Sequence, residues 1–248
     1  CILAVIFAKM LAAEKYVGGS SSNNTHHDFE KIVNDNLKIL DKLGSGAYGM
    51  TYESCYHGKK TATKKVKLLD KYLTRGNFKL YGNYWQELEF FKFINNLPLE
   101  QQKYFIKLIA FEISDSAVNT HCDYKHEFPD WFNKEKVFKN NKKFAKEMEK
   151  LGASSKCALY VMEYAGKDLK KPIFEWIEQN KLEENHAVSR NIIRQLIEIV
   201  KIMRTGRYHH DDIHTGNICY TGDFSVPSTV KIKIIDYGTV VDMNILDK

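Results

Sequence analysis

Three short runs occur in fixed order along this 248-residue chain, and they limit its fold more than any other feature. The first is Gly44-Ser45-Gly46-Ala47-Tyr48-Gly49, the second His210-Asp211-Asp212-Ile213-His214-Thr215-Gly216-Asn217, and the third Ile235-Asp236-Tyr237-Gly238. The glycine run lies between two β-type segments, which predicts a strand-turn-strand hairpin. That context excludes the dinucleotide-binding turn, whose glycines open a helix. Each run alone is common by chance, so their order and spacing carry the argument.

The hydropathy pattern sorts the rest of the chain around these runs. Residues 1–36 read as an N-terminal extension, apolar from Cys1 to Ala13 apart from Lys9, followed by a polar linker over residues 18–27. From Leu37 the texture is β-rich, with strands expected over Leu37–Leu43, Met50–Tyr56 and Thr61–Leu69, the last two joined by a turn at His57-Gly58. Residues Tyr84–Leu97 carry Leu88, Phe91 and Ile94 at helical spacing, and two further strands are expected over Phe105–Ile113 and Ala158–Tyr164. A Lys-rich insert, about residues 114–156, separates them and holds Trp131, Phe132, Phe138 and Phe144. After a boundary at Gly166 the pattern turns helical, with helices expected over Pro172–Gln179 and Glu184–Arg204. The expected class is therefore α+β: a five-stranded antiparallel sheet with one main helix over residues 37–165, and a mainly helical part over 166–248.

Composition narrows the partners. The net charge of +6, from 37 basic against 31 acidic residues with no run of five basic ones, suits anionic ligands and gives no nucleic-acid footprint. A 13-residue apolar stretch interrupted by Lys9 is too short to span a bilayer, so no stable membrane insertion is expected, and the stretch reads equally as a packing helix or as the cut end of a longer helix or of a signal segment. Five cysteines with no C-x-x-C pair predict free thiols in a reducing compartment, hence a cytoplasmic location. Both ends read as cut, since the chain opens on Cys1 and stops at Lys248, ten residues past Gly238. The helical part is accordingly expected to be incomplete, with the apolar face of Glu184–Arg204 left exposed and the chain as given inactive on proteins.

The three runs bring together groups suited to nucleotide phosphates. Glycines at 44, 46 and 49 let backbone approach phosphate oxygens that side chains would keep away. On the third strand, alternation sends Ala62 and Lys64 to one face, and an inward lysine needs an anion, met by a phosphate and a helix carboxylate. Glu87 is favoured over Glu89 for that carboxylate because Phe91 follows it at i+4 on the apolar stripe. Lys65, on the opposite face, is expected to be exposed. Asp212 and Asn217, five apart on a loop, suit a carboxylate meeting a hydroxyl and an amide oxygen meeting a metal. Asp236 ends an apolar strand and supplies a second oxygen for Mg²⁺. His121-Cys122-x-x-x-His126 in the insert is a weaker zinc pattern, lacking a second Cys/His pair at suitable spacing.

From Leu37 to Lys248 these residues resemble the eukaryotic-type protein kinase superfamily, with Val161-Met162-Glu163-Tyr164 standing as the hinge. The resemblance implies a bilobal fold, ATP and Mg²⁺ as cofactors, and protein serine or threonine hydroxyls as acceptors. It implies Asp212 as catalytic base, with Lys64 and His214 on the phosphates, and Asn217 and Asp236 on the metal. Leu43, Gly44, Ser45, Gly46, Ala47, Tyr48, Gly49, Thr51, Ala62 and Glu87 would surround the nucleotide. Met162 would be the gatekeeper, and the backbones of Glu163 and Ala165 would hold adenine. Leu108, Phe91, Tyr237 and His210 would stack as one apolar column.

The chain also departs from that pattern. Asp211 replaces the usual arginine before the catalytic aspartate, which argues against activation through a phosphate on the following segment. His214 replaces lysine, Thr51 valine, and Tyr237 phenylalanine. His-x-Asp-Ile-His-x-Gly-Asn with Ile-Asp-Tyr is similar to the divergent kinases of large DNA viruses, the poxvirus and iridovirus type, and to haspin. Two other readings stay open: a small-molecule phosphotransferase of the aminoglycoside or choline kinase type, and a pseudokinase scaffold.

Overall fold

A computed structural model describes residues 36–46, 49–69, 84–125, 146, 149–179, 181 and 185–246. The expected extension and linker over residues 1–35, the insert's Trp131, Phe132, Phe138 and Phe144, and Ala47 and Tyr48 lie outside these residues. The described chain is α+β, built on a five-stranded antiparallel sheet in the order β1-β2-β3-β5-β4. Its strands are β1 (Leu37–Ser45), β2 (Gly49–Tyr56), β3 (Lys59–Lys67), β4 (Leu108–Asp115) and β5 (Lys156–Glu163). The β2–β3 turn follows from its residues: His57 and Gly58 both take positive φ, 47° and 74°, the left-handed pair that a two-residue hairpin demands.

Helix α1 (Tyr84–Asn96) and a short α2 (Leu99–Gln102) lie between β3 and β4 in sequence. After β5 come β6 (Lys167–Asp168), α3 (Lys170–Glu178), α4 (His186–Thr205), β7 (Tyr208–His209), β8 (Ile218–Thr221), β9 (Lys231–Ile234), β10 (Val241–Asp242) and α5 (Met243–Leu246). Strands β6, β8 and β9 form one small sheet, and β7 pairs with β10 in another. Pro172 sits in the first turn of α3, where its missing N–H costs no helical bond. Gly166 marks the passage out of the large sheet at φ 97°, and a Cβ there would stand 2.2 Å from the Tyr220 carbonyl oxygen, so only glycine fits.

The strand expected from Phe105 begins instead at Leu108. Residues 105 and 106 are committed elsewhere: Phe105 bridges to Ile234 in parallel, and the Ile106 amide donates to the Ile234 carbonyl at 3.3 Å. One core runs from Leu88, Phe90, Phe91 and Ile94 of α1 through Val66, Tyr160 and Met162 to Ile199 of α4 and Ile232 and Ile234 of β9. The apolar face of α4 is therefore not exposed, contrary to expectation. Ile192, Leu196, Ile199 and Met203 are buried, and Asn191 and Gln195 donate to the Val230 carbonyl at 2.9 and 3.0 Å.

The opposite face of the large sheet is covered as well. There β5 turns Cys157, Leu159 and Val161 toward Leu37, Tyr56, Ala110 and Cys122, a second small core. Lys65, expected in solvent, is 6 % exposed on this face, its ammonium 5.0 Å from the Tyr52 ring centroid and 5.4 Å from that of Tyr124. Burial, with Lys67 nearby, lowers its pKa to about 8. Lys67 donates to the carbonyls of Cys122 at 2.9 Å and Ser154 at 2.7 Å. Alternation alone misread Lys65 because the start of the insert folds back over what would otherwise be a wet face.

Cys122 and Cys157 form a disulfide, their Cα atoms 5.4 Å apart. This overturns the expectation of five free thiols, and the reducing, cytoplasmic location that rested on it loses that support. It also removes the His121-Cys122-x-x-x-His126 zinc pattern, since a disulfide sulfur cannot serve as a thiolate ligand; His126 lies outside the described residues. Cys55 and Cys219 are free. With a sequence separation of 35, the crosslink limits the unfolded chain enough to contribute about 4 kcal/mol. Dithiothreitol should lower the unfolding free energy by that order in chemical denaturation, and an unchanged midpoint would show that the bond adds nothing to the fold.

Among the described residues no helix is long and apolar enough to cross a membrane.

Candidate functional site

Three elements deliver polar side chains to one place at the inner face of the large sheet. Strand β3 presents Lys64 on the same side as Ala62 and Val66, toward α1. From the first turn of α1, Glu87 points back to it, and the Lys64 Nζ donates to both Glu87 oxygens at 2.8 and 3.1 Å. Glu89 instead pairs with Lys92 on the helix surface at 2.9 Å. The same Nζ reaches Asp236 Oδ1 at 2.8 Å, a contact the sequence did not suggest.

The electrostatics follow from burial. Glu87's side chain is only 4 % exposed, and burial raises its pKa against the pull of Lys64. Burial also opposes the Lys64 ammonium, but the Asp236 and Glu87 carboxylates outweigh it and raise its pKa. Lys64 in turn holds the Asp236 carboxyl below its ordinary range. The triad is thus a fixed ammonium between two carboxylates, one dry and one, at 48 % exposure, open to solvent.

Asp236 has φ 60° and ψ 77°, left-handed backbone that a non-glycine residue adopts only when its surroundings hold it there. On the loop after β7, Asp211 is also left-handed, at φ 57°. Its carboxylate lies 3.8 Å from His209 Nδ1, and the position carries no cation. Asp212 is exposed, and its neighbour Asn217 donates Nδ2 to the Asp212 carbonyl at 3.0 Å and to its carboxylate at 3.2 Å. With both hydrogens so directed, the planar amide turns its oxygen the other way. His214 accepts from the Gly216 amide at Nδ1, 3.0 Å, so its proton sits on Nε2, 3.7 Å from Asp212 Oδ1. His210 lies beneath, Nε2 donating to the Ile235 carbonyl at 3.2 Å, and burial lowers its pKa so that the ring stays neutral.

The glycine turn is closed by the Gly46 amide donating to the Gly49 carbonyl at 2.8 Å. A side chain at Gly44 would meet nothing within 4 Å, so that backbone is open to a ligand, whereas a Cβ at Gly49 would stand 2.7 Å from the Lys65 carbonyl oxygen. Gly49 is thus required by packing on β3. Leu43 and Ser45 flank the turn, with Leu43 exposed, and Thr51 pairs with Lys64 across the β2–β3 ladder. Met162 is buried opposite Ala62 on β5, and Ala165 is buried beyond it. The Glu163 amide donates to the Lys107 carbonyl at 3.0 Å.

Some contacts escaped the sequence reading. Lys233 of β9 binds Glu163 at 2.6 Å, and Lys60 lies 4.0 Å from the Tyr164 ring centroid, so two lysines brace the segment that leaves the sheet. Lys233 was legible in one respect: it alternates with the buried Ile232 and Ile234. Phe90, not only Phe91, packs on Tyr237, with centroids 4.8 and 5.0 Å away, and His210 lies at 6.0 Å. No group of three His, Cys, Asp or Glu side chains among the described residues is disposed to hold a metal.

No protein-family model matches the chain, and no curated protein matches it.

Proposed function

We propose that the chain carries the nucleotide-binding and catalytic groups of an ATP-dependent kinase that transfers the γ-phosphoryl group of Mg-ATP to serine or threonine hydroxyls of proteins. The observation that carries this reading is the Lys64 ammonium, bound at once to a carboxylate 23 residues away and to another 172 residues away. A chain gains little stability from burying such a triad, so its persistence points to a use for the charge. On this reading the five-stranded sheet with α1 is the smaller lobe of a bilobal kinase-like fold, and the part from Gly166 onward belongs to the larger one.

The roles follow from the donors. Backbone at Gly44 and Gly46 approaches the phosphates, Lys64 contacts them from below, and Glu87 fixes the lysine. Asn217 Oδ1 and the Asp236 carboxylate are hard oxygen donors that fit Mg²⁺, whose shell is ordinarily completed by phosphate oxygens and water. Bound Mg²⁺ would neutralise the phosphate oxygens of the nucleotide. Asp212, exposed beside them, accepts the proton of the incoming hydroxyl, and Asn217 holds its carboxylate in place. His214, with its proton on Nε2, is a hydrogen-bond donor within reach of the same space. Ala62, Met162 and Ala165 would line an apolar slot for adenine.

The test is direct: Mg-ATP binding by calorimetry, and transfer of radiolabelled γ-phosphate to casein or histone by the full-length protein. Binding with transfer to serine or threonine supports the proposal. Transfer to choline or an aminoglycoside alone would favour a small-molecule phosphotransferase, and binding without transfer to any acceptor a scaffold. Failure to bind Mg-ATP would overturn the reading.

A further inference from the structure

The aromatic residue after Asp236 carries a hydroxyl, and that hydroxyl is fully committed. Tyr237 is 0 % exposed. Its oxygen accepts from the Ile106 amide at 2.9 Å and donates to the Ile234 carbonyl at 2.8 Å. Ile106 lies on the approach to β4 of the large sheet, and Ile234 ends β9 of the small one, so the phenol oxygen adds a second link beside the direct bond from the Ile106 amide to the Ile234 carbonyl. It does so one residue from Asp236, whose left-handed backbone must be held by its surroundings. A phenylalanine would fill the same space between Phe90, Phe91 and His210 but could make neither hydrogen bond.

The segment that follows is pinned by contacts that use no added charge. Thr239 Oγ1 donates to the His210 carbonyl at 2.8 Å, and β10 pairs with β7 through Val241–His209 and Asp242–Tyr208. The nearby Asp211 offers a carboxylate and would repel a phosphate. We propose that the Tyr237 hydroxyl is a positioning group that holds Asp236 against Lys64, keeping the site assembled without a phosphate on the segment after Gly238. The proposal takes Asp236 as a metal ligand from the kinase reading, but the clamp itself is a property of the protein without nucleotide.

Amide hydrogen exchange on the full chain, wild type against Tyr237→Phe, tests it, with Phe91→Leu as the packing control. The reporting amides are Gly238, which lies beside the Asp236 carboxylate, and Val240, which donates to the Tyr237 carbonyl at 3.1 Å. Loss of the hydroxyl should speed exchange at both by about tenfold, the size expected for one buried hydrogen bond, while amides of β3 and β5 change less than about twofold. In Phe91→Leu any acceleration should be shared with β3 and β5. Unchanged exchange at Gly238 and Val240, or acceleration spread equally over the sheet, would overturn the clamp and leave Tyr237 a packing residue. If Tyr237→Phe does not fold, the wild type decides: these two amides must exchange as slowly as those of β5, and faster exchange overturns the proposal. Where Mg-ATP is turned over, Tyr237→Phe should raise KM by a larger factor than it lowers kcat. Absence of Mg-ATP binding with selective exchange would refute the kinase reading and leave the clamp standing.

Discussion

Asp212→Asn is expected, on the proposed kinase function, to lower kcat for phosphoryl transfer by about a thousandfold while Mg-ATP affinity stays within about twofold, because the carboxylate would meet the acceptor hydroxyl and not the nucleotide. The change is nearly isosteric. Asn217 donates to the Asp212 carbonyl as well as to its carboxylate, so the loop keeps its shape when the charge is lost. The side chain is half-exposed, and the unfolding free energy should move by less than about 1 kcal/mol. Steady-state kinetics of the full-length protein on casein, calorimetric titration with Mg-ATP and chemical denaturation measure the three quantities. A collapse of nucleotide affinity with turnover preserved would make Asp212 structural.

Lys64→Met should act on catalysis and on stability together, which the sequence did not foretell. Without the ammonium the phosphates lose a fixed positive contact, and kcat/KM should fall by about 10²- to 10³-fold. The same change leaves Glu87, 4 % exposed, without its cation, at a cost of about 3 kcal/mol when the carboxylate is ionised. Glu87 can avoid part of that cost by taking a proton, since burial already raises its pKa. A group whose folded pKa is raised contributes stability that is full below its unfolded value and lost as pH rises through the folded one. The deficit of Lys64→Met relative to wild type should therefore be larger at pH 8 than at pH 5. Adding Glu87→Leu should recover the stability at pH 8 and leave transfer as low as before. Recovery of transfer in the double variant would show that Lys64 serves the fold alone.

Much of the architecture was legible because short periods determine it. The β1–β2–β3 meander, the His57-Gly58 turn and the inward set of Ala62 and Lys64 follow from alternation and from the residues that tolerate positive φ. Glu87 was distinguishable from Glu89 by its place on the stripe of α1. What escaped depends on distant parts of the chain meeting. Lys65 obeys its alternation but is buried, because Tyr124 from the insert lies over it. The Cys122–Cys157 bond contradicts a count that saw an odd number of cysteines and no close pair. Phe105 looked like strand and became a bridge to Ile234. The bond from Lys64 to Asp236 and that from the Ile106 amide to the Tyr237 hydroxyl join residues more than a hundred positions apart, and no local pattern carries them.

The disulfide has a consequence for how this chain can be varied. Everything between Cys122 and Cys157 departs from and returns to points whose Cα atoms are 5.4 Å apart, on the side of the sheet away from Lys64. An excursion anchored in this way can change length cheaply, since doubling a loop costs only about 0.6 kcal/mol in closure entropy. It is a graft point: with Tyr124 and Ser154 kept for their contacts to Lys65 and Lys67, a different sequence could be exchanged between Lys125 and Lys146, as a reporter or a recognition module, without altering the spacing of the groups around Lys64.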